Sequence, residues 1–314
     1  MNKKEQAYNV LKYGSFHSIS KDAYYWIQSQ PTVKEESITD RLIYQLNKNN
    51  PHVVCVGVTH NQEASYGLDW EWWLVLNKQT YRFRVQAKKL KLESKDNAPL
   101  LFYANSKGFQ IDTLIEQSER VKAIPLYAFY TDCEKQMSLN EVNIFFEPSK
   151  KVMNLCMECK NGIFLASAID LQKRYLHAER KKISSDELVQ LSFPISMLDS
   201  LYCAGSTLCF THLFTYFRRR TGNLYLDNDG KTKNTLEDSL NSIAEYSYSY
   251  EQYPSYLKKI INSKWEEIEE IKDLNTDEFS EELSEYKELE KLSGIGVIDA
   301  SDTMRIDFKE IYAK

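Results

Sequence analysis

Glycine and proline are scarce, at 10 and 7 among 314 residues. No breaker-rich stretch marks a linker, and no internal repeat at solenoid or propeller spacing is present, so domain joints are soft. A basic excess is also missing. With 40 Lys+Arg against 45 Asp+Glu the formal net charge is -5, which excludes a protein that coats nucleic acid by bulk charge. Any nucleic-acid contact has to be local. No window attains the uninterrupted apolar length of a membrane span, and MNKKEQAYNVLKYG has no apolar run after its lysines to act as a signal. The expectation is a cytoplasmic protein with no membrane partner. Five histidines (His17, His52, His60, His177, His212) include no HxxxH or HxH pair and point to no metal cluster.

What is present is core-forming material. The hydrophobic set makes up 42% of the chain and aromatics 13%, which excludes general disorder and a disulfide-stapled miniprotein and leaves one large domain or two smaller ones. Six cysteines without a secretion signal read as reduced thiols. Cys156 and Cys159, with Cys203 and Cys209, have the outline of a zinc site, but the second pair lies in an apolar helical stretch, and buried thiols are the better reading.

Charge is unevenly placed. Residues 1 to 150 hold 19 Lys+Arg and 17 Asp+Glu, whereas 266 to 290 hold 12 acids and 2 lysines at amphipathic-helix spacing. The densest basic segment of the first half is RFRVQAKKLKLESK, with Arg82, Arg84, Lys88, Lys89, Lys91 and Lys95.

Along the chain, TVKEESITDRLIYQLNKN predicts a helix with Ile38, Leu42, Ile43 and Leu46 on one side and Thr32 as its N-cap. HVVCVGVT, GLDWEWWLVL and YRFRVQAKKL predict three strands, GFQIDTLIEQSERV a helix and AIPLYAFY a buried strand. NGIFLASAIDLQKRYLHAER and PISMLDSLYCAGSTLCFTHLFTYFRRR read as helical, and GIGVIDASDTMRIDF as a closing strand or hairpin. The expected fold is α/β with a mixed central sheet flanked by helices over residues 1–190, followed by a mainly helical C-terminal region over 191–314 that carries the acidic stretch 266–290.

The strand alternation carries the chemistry. In YRFRVQAKKL, Arg82, Arg84, Gln86 and Lys88 share one face, and in GLDWEWWL, Asp69 and Glu71 do the same. The connector NKQT makes these strands a hairpin. With Lys78 and Gln79 as the turn, Asp69 stands opposite Lys88 and Glu71 opposite Gln86; any even-length loop keeps that facing. A carboxylate, an amide oxygen and a lysine on one face suit Mg²⁺, which takes one or two protein carboxylates and completes its shell with water and phosphate oxygens. A nearby lysine stabilises the developing charge of a phosphoryl transition state or assists water deprotonation.

Asp69, then Gln86-Ala87-Lys88 on the next strand, with a preceding helix that opens on Glu35-Glu36, resembles the PD-(D/E)XK nuclease superfamily. The match is to its Mrr-like branch, in which glutamine replaces the acid of the E-x-K element. EESITDRL, GLDWEWW, VQAKKL, QIDTLI and IPLYAFY also resemble a bacterial family of that superfamily associated with defence loci. The resemblance spans residues 31 to 130, extends weakly to about residue 200, and departs from the pattern at Leu68, where the family carries proline.

The resemblance implies a restriction-endonuclease-like fold and a Mg²⁺- or Mn²⁺-dependent endonuclease, with DNA the expected substrate and anti-phage defence the expected setting. It implies Asp69 and Gln86 as metal ligands and Lys88 as the catalytic lysine. Thr32-x-x-Glu35 fits a capping box, which leaves Glu36 as the favoured helix acid and Glu35 in reserve; Glu63 and Glu71 are further candidates. Arg82, Arg84, Lys89 and Lys91 are expected to contact phosphates. Gln110 either lines the same cleft or caps its helix. Arg218-Arg219-Arg220 and the tyrosines of YSYSYEQYPSY have both nucleic-acid and plain structural readings. A homo-oligomer or a defence-system partner protein is the further partner expected. Two alternatives belong to other classes: a catalytically silent nuclease fold that binds nucleic acid or protein, and a pure interaction protein with an acidic helical tail.

Overall fold

The computed structural model describes residues 15–49, 53–57, 69–76, 79–90, 96–105, 108–133, 160–176, 182–199, 246–253 and 294–299. Helix α1 (Phe16–Ser29) starts at Ser15, whose side chain accepts from the Ser18 amide at 3.0 Å and so satisfies one of the unpaired donors of the first turn. Phe16, Ile19, Ala23 and Ile27 follow at three- and four-residue steps and are buried. Helix α2 (Glu35–Asn49) buries Ile38, Leu42 and Leu46, with Ile43 packed against them. Thr32 lies in the turn before α2, and the Ile38 amide bonds back to the Lys34 carbonyl at 3.3 Å. The helix therefore begins on Glu35 itself, and Thr32 is not its N-cap as the sequence suggested.

The strands are β1 (Val53–Gly57), β2 (Trp70–Leu76), β3 (Gln79–Lys89), β4 (Ala104–Asn105), β5 (Gly108–Phe109), β6 (Ile124–Tyr130), β7 (Ile163–Ser167), β8 (Phe193–Pro194), β9 (Ser247–Tyr248) and β10 (Gly294–Asp299). Between them lie helices α3 (Ala98–Leu101), α4 (Gln110–Arg120), α5 (Ala168–Leu176) and α6 (Ser185–Gln190), and a 3₁₀ turn at Ile195–Asp199. One mixed sheet runs in the order β1, β10, β2, β3, β6, β7, β8, with β9 added to β3; β4 and β5 form a separate small hairpin. The β10/β2 and β3/β6 pairs are parallel and the other pairs antiparallel.

The sheet separates two apolar layers. On one face α1 and α2 pack on Tyr81, Phe83, Val85, Ala87, Leu126, Ala128 and Tyr130. On the other, α4, α5 and α6 pack on Trp73, Tyr127 and Phe129. All seven residues of β6 are buried, which accounts for the continuous apolar run IPLYAFY in a strand covered on both faces. The α/β class with a mixed sheet flanked by helices is as the sequence indicates.

Three differences stand out. NGIFLASAIDLQKRYLHAER is not one helix: its apolar β-formers make β7, and α5 starts only at Ala168, because a short apolar run buried on both sides has no helical period to show. The hairpin register differs, since Leu76 pairs with Gln79 and Glu71 with Arg84. This is a slide of two residues from the expected register that keeps every side chain on its face. The boundary at 190/191 does not divide the sheet, because β8, β9 and β10 all belong to it. The acidic stretch 266–290, the four cysteines weighed for zinc, Arg218 to Arg220, Glu63 and Lys91 lie outside the described residues.

Candidate active site

The site forms where β2 and β3 part company beside the start of α2. Asp69, at the bend ahead of β2, donates its own amide to the Val85 carbonyl at 3.0 Å. Its Oδ2 then accepts from the Ala87 amide at 2.5 Å and from Gln86 Nε2. The carboxylate thus takes the place of a ladder partner on β3, and this fixes Asp69 and Gln86 together.

From the neighbouring helix Glu35 reaches the same strand end. Its Oε2 accepts from the Lys89 amide at 3.0 Å and its Oε1 lies 3.8 Å from Lys88 Nζ. With no capping box to hold it, Glu35 is a full member of the site, and the argument that favoured Glu36 over it falls away. Lys89 turns its ammonium back to the carbonyls of Pro31 and, at 2.7 Å, Val33, so it ties the α1–α2 connection to β3.

Glu35, Glu36, Thr39, Asp40, Asp69 and Ala87 line a cleft between α2 and the β3 end. Gln86 and Lys88 border it through their contacts with Asp69 and Glu35 rather than lining it. Thr39 and Asp40, one turn along α2 from Glu35 and Glu36, were missed in the sequence, although the i, i+4 spacing from the two glutamates was there to find them. Beneath the cleft the Tyr130 hydroxyl and Thr39 Oγ1 are 2.7 Å apart. Burial pushes the Tyr130 phenol well above its ordinary value; the Thr39 hydrogen bond acts the other way, and Asp69, Glu35 and Asp40 push it up further. Tyr130 therefore stays neutral and serves as a floor.

The second set of polar residues on β3 has a different role. Arg82 and Arg84 are each 1% exposed, and both point at Glu71, with Nε to carboxylate distances of 2.9 and 3.1 Å. Glu71 Oε1 also accepts from Trp73 Nε1 at 3.0 Å, the Arg82 guanidinium lies over the Trp73 ring at 5.0 Å, and Arg84 NH1 donates to the Gln117 carbonyl at 3.0 Å. Burial alone would raise the Glu71 pKa, but the charges and hydrogen bonds of Arg82 and Arg84 outweigh it and hold it below the ordinary value. The expected phosphate contacts Arg82 and Arg84 are thereby corrected: α4 covers this end of the strand face, and the two arginines are internal partners of Glu71, which leaves the candidate site with them. The tyrosine run is also structural where described. Tyr248 stacks edge-on against Trp73 at 5.3 Å, and Tyr253 is buried beside Thr80.

Gln110, the first residue of α4, donates from Nε2 to Gln86 Oε1 at 2.8 Å. A row of contacts therefore runs Gln110, Gln86, Asp69.

As a donor set, Glu35, Glu36, Asp40, Asp69 and the Gln86 amide fit a hard divalent cation. Among the described residues no three His, Cys, Asp or Glu side chains stand together as a metal cluster; Mg²⁺ commonly takes only one or two protein carboxylates and completes its shell with water and substrate oxygens. Gln86 here presents its amide nitrogen to Asp69, so its oxygen reaches a cation only after the amide turns. Among the described residues no helix is long and apolar enough to cross a membrane.

Comparison with curated proteins and with solved structures finds no match to either. A family model does match, over residues 14–292, and by that extent the chain belongs to the family of unknown function DUF6615.

Proposed function

We propose that this protein is a divalent-metal-dependent nuclease of PD-(D/E)XK type that hydrolyses phosphodiester bonds, with DNA as substrate and an effector role in anti-phage defence. The observation that carries the reading is the gathering of Asp69, Gln86, Lys88 and the two α2 glutamates at one strand end, through contacts that link residues far apart in sequence. The acidity of the cleft adds support. Glu35, Glu36, Asp40 and Asp69 line the opening, and their summed negative charge repels a polyanion unless a cation offsets it, so the cleft suits cation-bridged phosphate better than direct phosphate binding.

In this reading Asp69 and Gln86, with Glu36 or Glu35, hold Mg²⁺ or Mn²⁺, which supplies Lewis-acid stabilisation and an activated water. Lys88 places a positive charge beside the reacting phosphate and shuttles a proton at Nζ, with Glu35 orienting it. Lys89 fixes the loop ahead of α2, and the phosphate-binding role expected of Lys91 stays part of the proposal. The second reading is a silent nuclease fold that binds nucleic acid or a partner protein without cleaving.

Cleavage of supercoiled plasmid, linear DNA and RNA, with Mg²⁺, with Mn²⁺ and in excess chelator, tests the proposal. Cleavage that disappears in chelator and returns with metal supports it. Full cleavage in chelator, or none of any substrate under any metal, refutes it.

A further inference from the structure

Resting on the nuclease reading above, we propose that Gln110 is a positioning residue that sets which end of the Gln86 amide faces the cleft, so that metal binding at Asp69 reverses the polarity of a two-amide relay. The relay is polarised toward Asp69: Gln110 Nε2 donates to Gln86 Oε1 at 2.8 Å, and Gln86 Nε2 donates to Asp69 Oδ2. At its far end Gln110 Oε1 is buried and has no hydrogen-bond partner among the described residues.

Asp69 dictates that polarity, because an ionised carboxylate only accepts. A cation beside Asp69 inverts the demand: it repels the amide NH₂ and attracts the amide oxygen. The two ends of a carboxamide are nearly equal in size, so the turn needs almost no space, but it brings Gln86 Nε2 against Gln110. Gln110 then turns as well and accepts with Oε1, the atom that lacks a donor in the present arrangement.

Gln110 is well placed for this. Its main-chain amide is bonded to the Tyr103 carbonyl at 2.8 Å, and Ile111 beside it is fully buried. The backbone is therefore fixed and only the amide is left to rotate. A residue without an acceptor at this point leaves Gln86 Nε2 unpaired in the metal-bound polarity and weakens metal uptake. A carboxylate at position 86 presents oxygen in both directions and needs no turn, so it makes Gln110 dispensable for binding.

The test is Mn²⁺ affinity by calorimetry on the full chain, in a double-mutant cycle of Gln110→Met and Gln86→Glu, with metal-free thermal melts as a control for folding. Partners that orient metal ligands typically contribute about tenfold to a hundredfold in affinity. Gln110→Met is expected to weaken Mn²⁺ binding by about tenfold where residue 86 is glutamine, and by less than about twofold in the Gln86→Glu background. Gln110→Glu, which only accepts, is expected to bind Mn²⁺ at least as tightly as wild type, and it keeps the test decisive should Gln86→Glu fail to fold. Equal weakening in both backgrounds, or none from Gln110→Met, overturns the relay while leaving the nuclease reading intact. A wild-type protein that takes up no Mn²⁺ overturns the nuclease reading, and the relay with it.

Discussion

Glu35 and Lys88 meet at the mouth of the cleft, carboxylate to ammonium at 3.8 Å, while the other oxygen of Glu35 holds the amide next to Lys88 at 3.0 Å. The lysine is thus steered by its neighbour's backbone contact. Lys88→Ala is expected to lower cleavage by about a hundredfold or more with a melting temperature close to wild type, since the ammonium makes one long ion pair that contributes little to the fold. Comparable cleavage by variant and wild type removes the catalytic role.

The two α2 glutamates separate by stability. Glu35 accepts a charge-assisted hydrogen bond from the Lys89 main chain, so Glu35→Ala is expected to cost about 1–3 kcal/mol in denaturant unfolding. Glu36 is exposed beside the cleft, and Glu36→Ala is expected to leave unfolding within about 0.5 kcal/mol of wild type. Mn²⁺ titration of the same two proteins then tests whether either carboxylate holds a cation.

What the sequence disclosed about the site follows from what period-two alternation can carry. Parity put Asp69 and Gln86 on one face whatever the turn, and after the two-residue slide the two are in contact; Lys88, expected beside Asp69, meets Glu35 of α2 instead. Parity does not say how deep a face lies. Arg82 and Arg84 alternate with Gln86 and Lys88 and look equally polar, yet α4 covers them, and only the three-dimensional partner Glu71 explains why two cations sit inside. The capping box failed for a related reason: Thr32-x-x-Glu35 matches a local rule, but Glu35 makes its bond to β3, 54 residues away, and a long-range partner leaves no local trace. Helix α1 is not among the expected elements, although its N-cap Ser15 and the apolar spacing of Phe16, Ile19, Ala23 and Ile27 are legible in the sequence.

Buried between two arginines, Glu71 makes acid stability a measurable property. Its folded pKa lies below the ordinary 4.5. Its contribution is therefore fully present above that value and is lost as pH falls through the folded one. Unfolding free energy is expected to fall on acidification below about pH 4.5, and Glu71→Gln, which leaves both guanidiniums buried and uncompensated, to cost about 3–5 kcal/mol at neutral pH. A Glu71→Gln protein with an unchanged denaturation midpoint contradicts the buried triad.

Gly162 sits where α1 meets the start of β7. Its amide bonds to the Ser20 carbonyl at 2.9 Å, and a Cβ there would lie 2.7 Å from both Tyr24 Cα and the Ala23 carbonyl carbon. Backbone atoms cannot swing aside as a side chain can, so Gly162→Ala is expected to cost about 3 kcal/mol, read as a shift in urea midpoint at constant slope. A shift within error shows that α1 can back away from the strand.

β10 has a consequence for how the protein is made. Val297 lies between Val54 and Trp73, so the strand that joins β1 to the β2–β3 hairpin is synthesised more than 200 residues after either of them. While the ribosome works through the acidic stretch, β1 and β2 expose unpaired edges, and the long loop to be closed makes this last pairing slow. Until β10 has emerged the sheet beside Asp69 is incomplete, and a translation product that stops short of β10 lacks that strand altogether.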